Sequence, residues 1–150
     1  MWSDVVLQIE RLHVLRLLFW AAASIVAGTA LLVISVAQGR GSTLIRHFAA
    51  VCATLGAAEL IIGAIEYRRL ALRDLAGATR LERLAWLQLG LYLGMAAVGL
   101  TMWVISRRIA SRAHSPPETA LPLVGDGIAV ALHGLALATL QLLLVAAISR

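Results

Sequence analysis

Four apolar runs, each long enough to cross a bilayer, constrain this chain more than any other feature. A helix needs about 20 predominantly apolar residues to span a hydrocarbon core. Runs of that kind extend over about residues 14–37, 43–67, 84–106 and 127–149. They are rich in alanine and leucine and lack the alternation of strands. The expected fold is therefore all-α, a four-helix transmembrane bundle forming a single domain over residues 1–150. Composition agrees: 61% of residues are hydrophobic, 14% are charged, and the mean hydropathy is +0.88. Soluble domains sit at about 45–50% apolar and about 25% charged. One cysteine, Cys52, leaves no disulfide scaffold. The first run is too long for the apolar core of a cleaved signal, and Asp4 and Glu10 precede it, so it is expected to remain as a span.

The 13 basic residues are all arginine, and they lie at segment ends and in connections. That placement reads as headgroup contact and topology signal, with no aromatic-studded basic face for nucleic acid. With four spans, both termini and the middle connection share one side. That side holds eight arginines, among them Arg11, Arg68, Arg73 and Arg83, against five on the other, so both termini are expected in the cytoplasm. The middle connection, residues 68–83, carries charges at helical spacing and should extend its flanking helices. Residues 107–119 contain Ser115-Pro116-Pro117 and should be a non-helical connection.

A short pattern recurs. Gly39-Arg40-Gly41 followed by His47 matches Gly125-Asp126-Gly127 followed by His133, a Gly-x-Gly-x5-His spacing at an offset of 86 residues. The preceding helices match at an offset of 71: Gly28 with Gly99, and Val33-Ile34-Ser35 with Val104-Ile105-Ser106. The expectation is two helical hairpins, about residues 11–67 and 82–149, entering the membrane in the same direction. The Gly-x-Gly segments would be tight connections, Asp126 the N-cap of the fourth helix, and His47 and His133 would lie at one depth. Gly90, Gly94 and Gly99 on the third helix, and Gly56 and Gly63 on the second, mark places where backbones can approach closely in lipid.

Ionisable groups inside a span are functional candidates, because burying them is costly unless they are paired. Glu59 lies near the middle of the second helix and shares a face with Gly63 and Glu66, a stripe that suggests a proton or cation site. Gln88, Gln141, Thr54, Thr101 and Thr139 are candidate partners. Two imidazoles at equal depth on parallel helices are the ligand set of a b-type haem, with Arg40 and Arg46 placed for its propionates and Ala49, Ala50, Gly134 and Ala136 leaving room. The same histidines can instead serve packing. No cysteine or carboxylate stands at zinc-ligand spacing from either, so no metal site is expected. His13 and His114 read as interfacial and solvated. No Gly-x-Ser-x-Gly, HExxH, P-loop or CxxC pattern occurs, so no enzyme is expected.

The Gly-x-Gly segments continue into polar, aromatic and small residues, over 39–53 and again over 125–144. In this the chain resembles a family of uncharacterised bacterial four-span membrane proteins, a domain of unknown function. Such proteins often carry Gln-Gly on the fourth helix, where this chain has His133-Gly134. The resemblance implies a multi-pass protein of the bacterial inner membrane and no particular activity. Arginine and alanine abundance without lysine fits a GC-rich bacterial genome. The first functional expectation is a scaffold, accessory subunit or self-associating component. Its surroundings would be the lipid bilayer and a homo-oligomer or larger membrane complex. A bis-histidine haem electron carrier and a small proton- or cation-coupled transporter using Glu59 stand as alternatives.

Overall fold

The computed structural model describes residues 2–38, 42–112 and 120–149. Within them the chain forms four helices: α1 (Trp2–Ala37), α2 (Thr43–Arg68), α3 (Leu75–Arg112) and α4 (Ala120–Ile148). No strand occurs among the described residues. All four helices are long and apolar enough to cross a membrane. At 1.5 Å per residue, the 36 residues of α1 and the 38 of α3 run well beyond a hydrocarbon core of about 30 Å. Both helices start before their apolar runs do. Backbone hydrogen bonding continues into charged sequence, and Asp4 in the first turn of α1 suits the positive end of the helix dipole.

α1 and α2 form one antiparallel hairpin and α3 and α4 another. α4 is the inner helix, packing on α3 most extensively and also on α2 and α1. Half of its most apolar window is buried, against 22–28% for the other three helices. The interior is built mostly of small side chains with polar groups among them: the largest fully buried side chains are His133, Gln141 and Val14. Bulky apolar side chains such as Phe19, Ile61, Leu87 and Leu91 point outward. This inversion suits a lipid surround, where apolar bulk faces the solvent and small residues let helices approach.

The middle connection extends its flanking helices as its charge spacing suggests, since residues 66–68 belong to α2 and residues 80–83 to α3, with a short break between them. α2 stops at Arg68, where the Arg69 N–H bonds the Glu66 carbonyl and the Leu70 N–H the Tyr67 carbonyl, and residues 70–74 are not helical. Asp74 then caps α3, its Oδ1 accepting from the Gly77 N–H at 2.8 Å. This cap belongs to α3, whereas the one expected of Asp126 belonged to the start of α4.

Asp126 itself lies inside α4, which begins seven residues before position 127. Gly125 and Gly127 are not turn residues. They are helical positions where a neighbouring backbone leaves no room for a side chain: Gly125 meets the Leu44 carbonyl of α2, and Gly127 meets Trp103 N and Gly99 O of α3. Pro122 is tolerated because it sits in the first turn, where a backbone N–H has no partner within the helix. Gly39-Arg40-Gly41, Ser115-Pro116-Pro117 and His114 lie outside the described residues.

The hairpins correspond in a different register from the Gly-x-Gly-x5-His spacing. Gly28 packs on Ala49 O and Ala53 N of α2, and Gly99 packs on Gly127 O and Ala131 N of α4. The matched glycines keep the offset of 71, and Ser35 and Ser106 are both buried, but 49 to 127 and 53 to 131 are offsets of 78. The offset of 86 is eight residues away, about two helical turns.

Candidate functional site

The chemistry-bearing side chains gather in a column through the interior, built from all four helices. On α2 the buried residues are Ala49, Cys52, Gly56, Glu59 and Gly63, alternating steps of three and four along one face. Gly56 brings that face onto Ala21 and Ser24 of α1, and Gly63 brings it onto Leu17 and Leu18. Glu59 sits between those two crossings and is 7% exposed. Its Oε2 is buried and has no hydrogen-bond partner.

Two turns along α2, Glu66 reaches the next layer. Its carboxylate lies against the Gln88 amide of α3. Gln88 Oε1 in turn accepts from Nε2 of Gln141 on α4 at 3.0 Å, and Gln141 is 1% exposed. The two glutamines therefore pair with each other across the α3–α4 seam rather than with Glu59. Thr54, Thr101 and Thr139 each bond the carbonyl four residues back in their own helix. His13 is buried, not solvated, with its ring toward the Leu140 carbonyl.

At the end of the column Glu10 of α1 grips Arg73 of the α2–α3 connection through two bonds, Nε to Oε2 at 2.8 Å and Nη2 to Oε1 at 2.5 Å. The carboxylate beside it raises the Arg73 pKa above the ordinary arginine value, so its charge persists across any accessible pH. A cavity of about 200 Å³ opens here, walled by Glu10, His13, Glu66, Arg69, Arg73 and Gln88.

The two candidate haem ligands are not brought together. His133 is 1% exposed; its Nδ1–H donates to the Ala129 carbonyl at 3.0 Å, and its ring meets Trp20 edge-on at 5.7 Å. His47 is on the outer part of α2, and its Nδ1 lies 3.3 Å from Asp126 Oδ1. Asp126 is seven residues before His133 on α4, about 10 Å along the axis. The small residues expected to make room are spent on helix contact: the Ala49 carbonyl packs on Gly28, and Gly134 packs on the Ala96 backbone. The buried Nε2 of His133 has no partner and is the nitrogen an iron would take, but the ring packs edge-on with Trp20, whose indole Nε1 is also unpartnered. The residues present do not fit a haem held between His47 and His133. Among the described residues no group of three or more His, Cys, Asp or Glu side chains could hold a metal ion.

The His47–Asp126 pair is half open to its surroundings, with side-chain exposures of 47% and 24%. Exposed pairs contribute little. Asp126→Asn is expected to change stability by less than about 1 kcal/mol in mixed-micelle unfolding.

The packing glycines divide into two sets. Gly56, Gly63 and Gly99 are consumed by contacts within the chain, whereas Gly90 and Gly94 have nothing within 4 Å of the space a Cβ would take.

These features define a class: an all-helical protein with four candidate membrane spans and a polar interior. Within it, the chain belongs to the family of unknown function DUF6992, whose sequence model matches residues 16–142. No curated protein and no solved structure matches it.

Proposed function

We propose that the protein is a non-catalytic component of the bacterial inner membrane that self-associates through α3, with both termini in the cytoplasm. The observation that carries this reading is the division of the glycines. α3 has one extensive partner in the chain, α4, and turns the Gly90–Gly94 pair away from it into open space. Small residues four apart allow two helix backbones to approach in lipid. Exposed Leu87, Leu91 and Leu93 flank the pair and would meet their own copies across such a crossing. The excess of arginine on the side of the termini supports the orientation, and the matching Gly28 and Gly99 crossings support two hairpins of one design running parallel.

The test is the oligomeric state of the full-length protein in lipid nanodiscs and detergent, read by chemical cross-linking and light scattering. The wild type should associate, and Gly90→Ile with Gly94→Ile should give monomers of unchanged helix content. A wild type that stays monomeric at every protein-to-detergent ratio would sink the reading. So would an oligomer indifferent to both substitutions.

A further inference from the structure

We propose that Glu59 holds an exchangeable proton, and that the proton reaches it from the Arg73 end of the bundle through the cavity beside Glu66, with Tyr92 standing on the route. The inference is independent of the α3 association surface and rests on four observations. Glu59 is a carboxyl in the apolar middle of a span with an unpartnered, buried Oε2. No cation faces it among the described residues. Its own helix offers Cys52 and Glu66, α3 offers Tyr92, and α4 has His133 one layer further out. At its level α1 presents the apolar stretch between Leu17 and Ala21, and His13 of α1 belongs to the cavity layer. An unpaired carboxylate is costly in such a place, whereas a carboxylic acid is a tolerable guest and a donor.

The second observation is the cavity at the Arg73 end, which has Glu66 in its wall. Third, Glu66 is held in orientation by the Gln141–Gln88 chain: Gln88 Oε1 is occupied by Gln141, which leaves the Gln88 amide N–H groups for the carboxylate. Fourth, Tyr92 of α3 faces the region between the two carboxyls, which two helical turns set about 10 Å apart. Its phenol is partly buried and within electrostatic reach of both Glu66 and Glu59. A hydroxyl accepts a proton on its oxygen while releasing its own, so no charge rests on Tyr92 during transfer. When Glu59 gives up its proton, the O–H bond breaks, the electron pair stays on the carboxylate, and the proton passes by way of Tyr92 and Glu66 to cavity water.

The experiment is infrared spectroscopy of the full-length protein in lipid vesicles after transfer into D2O. A protonated carboxyl has a C=O stretching band that moves when its proton is replaced by a deuteron. One such band is expected, missing in Glu59→Gln. Its shift should be slowed by about a hundredfold in Tyr92→Phe, the lower end of what a positioned proton-transfer group supplies. Glu66→Gln should slow it as well, while helical amide exchange stays unchanged in both variants as the control for folding. Absence of the band in the wild type overturns the proposal, as does its survival in Glu59→Gln. A band that shifts equally fast in Tyr92→Phe overturns the route.

Discussion

Replacing Gly99 by alanine is expected to lower unfolding stability by about 3 kcal/mol, the upper end of the usual overpacking range. The same replacement at Gly94 should leave stability within about 1 kcal/mol of the wild type. The two glycines sit five residues apart on one helix, and intrinsic helix propensity favours alanine at both. What separates them is the other side of the contact. A Cβ on Gly99 would run into Ala131 N, with Gly127 O at 2.7 Å and Ala131 Cα at 2.8 Å, all backbone atoms of α4. No rotamer change can relieve a clash with backbone, so the helices must part. Parting them also opens the contacts of Gly127 with Trp103 and of Gly134 with Ala96, because all three lie on the α3–α4 seam. Unfolding of each variant in mixed micelles of increasing denaturing detergent measures the difference. Equal stability of Gly99→Ala and Gly94→Ala would mean that α3 does not approach α4 this closely.

The number of helices and the limits of α2 are legible in the sequence because lipid demands long apolar runs with all backbone groups bonded inside one segment. Glu59 is legible for the same reason, as an ionisable residue inside such a run. The starts of α1 and α4 are not, since hydropathy says nothing of where backbone hydrogen bonding begins. Glycine misled most. The same residue type serves a turn and a close helix crossing, and Gly125 and Gly127 serve the second. That error carried His133 two turns from where the repeat spacing put it. One clue was present in the sequence: Gly99 needs a small partner on the fourth helix, and placing Gly127 opposite it draws that residue into the helix. The pairing of Gln88 with Gln141, 53 residues apart, depends on the packing register of α3 on α4 and had no local signature.

The grip of Glu10 on Arg73 is the least visible of these contacts, since its partners are 63 residues apart and Glu10 lies before the first apolar run. It should also be the strongest polar contact in the protein. Both bonds are charge-assisted and bidentate. The side chains are only 11% exposed for Glu10 and 29% for Arg73, so water and salt screen them weakly. Glu10→Gln and Arg73→Gln are each expected to cost about 2 kcal/mol, because the remaining charge loses its partner while still partly buried. The double variant should cost less than the sum of the singles, leaving a coupling energy of at least about 1 kcal/mol. Hydrogen exchange locates the effect: amides at residues 70–74 should open faster in either single variant, because Arg73 ties that connection to α1 across the cavity mouth. Protection in α4 around Gln141 should hold. A coupling energy near zero would mean that the pair is solvent-screened and that the cavity mouth is held by the apolar packing of Leu81 and Leu84 instead.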